Sequence, residues 1–203
     1  MFMEQPEINN TQRSQNTFFS NRGWVLLSTI LLFSGLVWIY LSRVDQNNIG
    51  VENESAPFVG FKAPKFNLPS ETGEIVSSLD FLGAPLVINL WTSWCPPCRA
   101  EMPAMERVYQ EYKDTGLEFI AVNITNQDSK QKAIQFKQDV AISFPILFDE
   151  NGEISELYQL QALPTTFFID ENGIIKEVVI GGPMSETLLR TRVEDIFDQM
   201  GDH

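Results

Sequence analysis

Two residues separate the two cysteines of Trp94-Cys95-Pro96-Pro97-Cys98, and the 203-residue chain contains no others. Thiols at this spacing can close on each other, or one can hold a mixed disulfide while the other attacks it. Pro96 and Pro97 between them fit a helix's first turn, which needs no amide donors. Cys95 then lies at a helix start, where unpaired backbone N–H groups and the positive end of the dipole favour thiolate over thiol. Cys98 follows about one turn later on the same face. The alternative is a permanent disulfide or a buried thiol pair. A bridge over so short a loop staples little, because stabilisation through chain entropy needs longer loops.

The elements that would carry the pair can be read on either side. Leu86–Trp91 (LVINLW) is a nearly continuous apolar run, as in a strand buried on both faces. From Pro96 to about Lys113 a helix is expected, with Met102, Met105, Val108, Tyr109 and Tyr112 on its apolar face. Further strands are expected at 117–124, 144–148, 165–170 and 174–180, and helices at 129–140 and from Ser185 to about Met200. In the last helix Leu188, Leu189, Val193, Ile196 and Phe197 are expected to face inward. A hairpin around Glu71-Thr72-Gly73 precedes them, and Glu171-Asn172-Gly173 makes a tight turn between the last two strands. The alternation predicts an α/β fold with a mixed sheet.

Residues 24–41 (WVLLSTILLFSGLVWIYL) carry no charge and would span roughly 27 Å as a helix, enough for a bilayer core. Trp24, Trp38 and Tyr40 lie near its ends, where amphipathic rings favour headgroups. A cleaved signal peptide and a buried core helix are the competing readings. The exit Ile39-Tyr40-Leu41-Ser42-Arg43 has no small-x-small cleavage site, which favours an anchor. Arg13 and Arg22 before the span against Arg43 after it orient the N-terminus to the cytoplasm. The expected organisation is an N-terminal cytoplasmic tail (1–23), a transmembrane anchor (24–42), a polar linker (43–56) and one extracytoplasmic domain (57–203).

Of 27 acidic and 14 basic residues, 25 and 12 respectively follow residue 42, so the domain carries the whole net charge of −13. Such a domain repels phosphate backbones, which argues against nucleic-acid binding. His203 is the only histidine. A Cys/His metal site, needing four ligands for structural zinc, is therefore not expected.

The segments LVINLWTSWCPPCRAEMP (86–103), FPILFDENG (144–152) and LPTTFFIDENG (163–173) resemble the thioredoxin superfamily, and within it the membrane-anchored TlpA/ResA-like branch that includes cytochrome c maturation reductases. The resemblance covers roughly residues 57–200. It implies a thioredoxin-like mixed β-sheet flanked by helices, with an N-terminal β-hairpin and an inserted strand–helix, preceded by one transmembrane helix. It implies Cys95 as the attacking thiolate, Cys98 as the resolving thiol and Pro164, after Leu163, as a cis-proline facing them. Leu163, Pro164, Trp94, Pro96 and Pro97 would then meet substrate.

Glu101, three residues after Cys98, resembles the acid that exchanges protons with the dithiol; an exposed carboxylate paired with a neighbour is its bland alternative. Classical cytosolic thioredoxins carry a buried acid six residues before the first cysteine, whereas this chain has Asn89 there, as the TlpA/ResA branch does. Trp91 and Trp94 are candidates to shield the dithiol, with plain packing as the alternative. The resemblance further implies a disulfide-containing protein substrate, with apocytochrome c the family's suggestion. It also implies a membrane thiol as electron donor and no cofactor beyond the dithiol. Two other classes stay open: a peroxiredoxin-type peroxidase, against which Ile88 stands where that pattern has proline, and a non-catalytic membrane-held binding module.

Overall fold

The computed structural model describes residues 21–41 and 55–200, which form two separate units. The first is helix α1 (Asn21–Leu41). Its window Gly23–Tyr40 has a mean hydropathy of 1.8 and none of it is buried, so it is long and apolar enough to cross a membrane. Ser28, Thr29 and Ser34 turn their hydroxyls onto backbone carbonyls three or four residues earlier, which satisfies them without water. The helix begins three residues before the expected span. Most of the expected linker and of the tail lies outside the described residues.

The described residues of the second unit start at Ser55, and the amide of Ala56 donates to the carbonyl of Lys62. Strands β1 (Asn67–Pro69) and β2 (Ile75–Ser77) form the expected hairpin, and Gly73 takes the left-handed conformation its turn requires. Strand β3 (Leu86–Trp91) leads into α2 (Pro96–Tyr112), followed by β4 (Glu118–Asn123), α3 (Lys130–Val140) and β5 (Ile146–Phe148). A short helix α4 (Glu153–Leu157), β6 (Thr165–Ile169), β7 (Ile175–Ile180) and α5 (Glu186–Met200) complete the chain. The sheet order is β5-β4-β3-β6-β7; β3, β4 and β5 run parallel, and β6 and β7 antiparallel to their neighbours. Asp170 accepts from the amides of Asn172 and Ile174 and so shapes the β6–β7 turn.

The pleat divides β3 between two cores. Val87 and Trp91 join residues of α2, α3 and α5, including Met102, Met105, Phe136 and Val193. Leu86, Ile88 and Leu90 face the hairpin's Phe66 and Leu68, with Ile154 of α4 and Tyr158. All six residues of β3 are buried, as a central strand with cover on both faces demands. Two details differ from the sequence reading. Helix α4 was not foreseen, because five residues give too short a window for a helical period. Leu188 is exposed rather than inward: Leu189, Val193 and Ile196 already form the i, i+4, i+7 stripe, and Leu188 points about 100° away from it.

Candidate functional site

Cys95 is the N-cap of α2, with extended backbone (φ −80°, ψ 112°), and Pro96 and Pro97 open the helix. The amide of Cys98 donates to Cys95 Sγ at 3.2 Å, so a first-turn donor is aimed at the sulfur. The two cysteines are joined in a disulfide with Cα atoms 5.3 Å apart. Cys95 is 3% exposed and Cys98 is fully buried, so Cys95 is the more accessible residue of the pair. Pro96 is exposed and Pro97 half-buried, forming the outer rim of this turn.

Glu101 is not the exposed carboxylate of the bland reading. It is 1% exposed, and its Oε1 accepts from Asn89 Nδ2 at 2.8 Å while Oε2 accepts from the amide of Met184 at 3.0 Å. Burial pushes its pKa above the usual carboxylate range, although the bonds from Met184 and Asn89 act in the opposite direction. Asn89 also donates to Thr166 Oγ1 at 2.9 Å across the β3–β6 pairing, while its own Oδ1 has no partner among the described residues. A buried acid therefore hangs from α2 onto the central strand, one helical turn past Cys98.

The Leu163–Pro164 peptide is cis, as is Gly182–Pro183. Leu163 is half-buried between the two cores, and Pro164 is buried with its carbonyl accepting from the amide of Gly181 at 2.7 Å. Gly182 is where these parts converge. A Cβ there would stand 2.7 Å from Pro164 Cγ and 2.8 Å from Glu101 Oε2, so the close approach admits only glycine without displacement.

The tryptophans separate. Trp91 is fully buried, packs on Phe136 with ring centroids 5.5 Å apart, and shares a core with both cysteines. Trp94 is 57% exposed, and its Nε1 donates to the carbonyl of Gln127 at 2.8 Å. Trp94 is thus a fixed surface ring rather than a buried cover.

Sequence reading missed the group that grips the turn ahead of Cys95. Asp128 accepts from both the amide and hydroxyl of Ser93, from Asn123 Nδ2 at 2.8 Å and from the amide of Ser129 at 2.8 Å. Burial alone would raise its pKa, but these four bonds outweigh it and hold the carboxyl below its usual range. One signal was present: Asn123 ends a buried parallel strand and Asp128 lies just past its carboxyl end, where open α/β sheets place their sites. Among the described residues no His, Cys, Asp or Glu cluster could hold a metal ion.

A dithiol at the helix start after the central strand of a β5-β4-β3-β6-β7 sheet makes this a thioredoxin-fold protein of the thiol-disulfide oxidoreductase class. The family model described as AhpC/TSA matches residues 59–178, and the chain belongs to that family. It is 34% identical over 186 residues to the thiol-disulfide oxidoreductase ResA of Oceanobacillus iheyensis, covering 89% of this chain and 90% of that one. It is also 34% identical over 175 residues to the thioredoxin-like protein YneN of Bacillus subtilis, covering 86% and 94% respectively. Among solved structures, StoA from Bacillus subtilis superposes with a TM-score of 0.56 at 30% identity, over 64% of this chain and 96% of that one. A thiol:disulfide interchange protein of the thioredoxin family from Chlorobium tepidum TLS, at 24% identity, shares the fold with a TM-score of 0.61 over 66% and 94%.

Proposed function

We propose that this chain is a membrane-anchored reductase of protein disulfides, acting outside the cytoplasm. The observation that carries the reading is the Cys98 amide aimed at Cys95 Sγ at the start of α2. That donor and the helix end stabilise negative charge on Cys95, which makes it the nucleophile. In the reduced enzyme, Cys95 thiolate attacks one sulfur of the substrate disulfide and the other leaves as thiolate. Cys98 then attacks Cys95 Sγ, the mixed disulfide breaks, and two electrons have passed from the enzyme dithiol to the substrate. Glu101, one turn beyond Cys98, exchanges the proton that Cys98 must lose to attack. The buried carboxyl with a raised pKa suits that exchange better than an ordinary surface glutamate would.

Trp94, Pro96 and Pro97 at the rim, with the backbone of Leu163 ahead of the buried Pro164, meet the substrate, and no cofactor beyond the dithiol is required. Helix α1 serves as the anchor, with the N-terminal tail in the cytoplasm. Apocytochrome c is the proposed substrate and a membrane dithiol protein the proposed electron donor.

The test is to trap mixed disulfides in cells with Cys98→Ala, which stops resolution, and to identify the trapped partners. A membrane electron donor together with apocytochrome c supports the reading. Many unrelated secreted proteins would point to an oxidant or isomerase, and no trapped partner to a binding module.

A further inference from the structure

Beside the dithiol an open groove of about 340 Å3 runs between Ser93 and Trp94, just ahead of Cys95, and Arg99, just after Cys98. Its far wall is α3, through Lys132, Phe136 and Asp139. The space suits one or two side chains, being at the small end for a drug-sized ligand.

The charge here runs against the rest of the molecule. In a chain of net charge −13, Arg107, Lys130, Lys137, Lys176, Arg190 and Arg192 each have a carboxylate within 4.0 Å. Arg99 and Lys132 have none among the described residues; Lys62, Lys65 and Lys113, also without one, do not line this groove. Asp139, the one acid of the groove, already accepts from Gln135 Nε2 at 2.8 Å. Arg99 is also held in place. Its guanidinium lies 4.3 Å over the Phe136 ring and Nη1 donates to the carbonyl of Ser93 at 3.2 Å, which leaves its other N–H groups to face a ligand. Trp94 adds a rigid aromatic surface, since Nε1 is tied to Gln127.

We propose that this groove docks a polypeptide segment carrying an acidic side chain next to its reactive cysteine, the carboxylate meeting Arg99 and Lys132 while a neighbouring side chain lies on Trp94. The proposal rests on the reductase reading and adds the selection of its substrate. The net charge makes it discriminating. Long-range attraction would favour basic peptides, whereas the groove favours acidic ones at contact.

The experiment follows oxidation of the reduced full-length protein by three matched cystine-linked peptides with a Glu, Gln or Lys residue flanking the cysteine, at low and high salt. The acidic peptide is expected to react roughly threefold to tenfold faster than the neutral one, an advantage that shrinks with salt. In Arg99→Gln/Lys132→Gln the ratio of acidic to neutral rate constants falls to about one, and in Lys132→Glu it inverts toward the Lys peptide. Reading a ratio within each variant removes any general loss of folding or activity. Equal rates for all three peptides in the unaltered protein, or a preference that persists in the double variant, would overturn the docking surface alone. No reaction with any peptide would sink the reductase reading and this one with it.

Discussion

Replacing Glu101 by Gln should make the protein more stable at neutral pH and less active. The carboxyl is buried, and burial holds its folded-state pKa above the ordinary value of a glutamate. For a pKa raised on folding, the group's contribution to stability is complete below the unfolded pKa and is lost as pH rises through the folded one. At pH 7, above the unfolded value, burying this carboxyl is therefore a net cost whichever form it takes. Gln removes the charge at nearly constant shape. Its oxygen can accept from the Met184 amide, and its NH2 then faces Asn89. Asn89 can turn over, because its Oδ1 has no partner to lose and Thr166 can donate instead of accept.

Two charge-assisted bonds then become neutral ones, a loss of about 1 kcal/mol each. The relief of desolvation must exceed that loss, since the raised pKa says burial outweighs the bonds. The net effect at pH 7 is a gain, and each ~1 kcal/mol of it raises Tm by about 2–4 °C in a chain this size. Thermal unfolding of the oxidised full-length protein in detergent at pH 7 and pH 4 would read it, with the gain fading at the lower pH. Reduction of a protein disulfide should fall by roughly 100-fold at pH 7 if Glu101 carries the proton. A Gln variant destabilised equally at both pH values would refute the reasoning, since Glu101 would then be held by its bonds rather than penalised by its burial.

Gly182→Ala places a methyl 2.7 Å from Pro164 Cγ and 2.8 Å from Glu101 Oε2, well inside the ~3.5–4 Å of ordinary carbon contact. Overpacking of about 1–3 kcal/mol follows, a fall in Tm of about 2–12 °C with slower reduction of protein disulfides; an unchanged melting curve would mean that the 181–183 loop yields freely. Asp128→Asn puts an NH2 group against the amide of either Ser93 or Ser129, neither of which can turn round, at a cost of about 1–3 kcal/mol in denaturant unfolding at pH 7. Because the Asp128 pKa is lowered on folding, its contribution exists above the unfolded value and is lost as pH falls through the folded one. The Asn penalty should therefore shrink in acid, and a penalty constant down to pH 2 contradicts it.

The dithiol and its strand–helix setting were legible because their signals are local: a six-residue apolar run, a Cys at a helix start and prolines that suit the first turn. Glu101 was legible only as a position. One helical turn after Cys98 places it on the right side of α2, but its burial depends on Asn89 and Met184, the latter 83 residues away. Gly182 was invisible for the same reason, and Asp128 was marked only by its place after the carboxyl end of β4. Nothing in Gly181-Gly182-Pro183 or Asp128-Ser129 announces which distant side chains will close on them, and Asp128 before a helix reads as ordinary capping chemistry. Leu188 failed through geometry, since the stripe of Leu189, Val193 and Ile196 widens on the side of the partly buried Phe197 and leaves Leu188 on the opposite side.

The two carboxylates beside the dithiol are held in opposite electrostatic states, and the difference assigns them different work. Asp128 has four donors and a lowered pKa, so it stays ionised and cannot take part in proton exchange near neutral pH. What it can do is hold Ser93, two residues before Cys95, against the loop between β4 and α3. Glu101 has two donors, deeper burial and a raised pKa, which brings its proton closer to the range in which thiols titrate. Asn89 supports that role more flexibly than an acid at the same position would. A second buried carboxylate would repel Glu101, whereas an amide can present NH2 to the ionised form and Oδ1 to the protonated one. Reducing a disulfide moves protons as well as electrons, and in the proposed mechanism Asn89 would give Glu101 a partner in either protonation state.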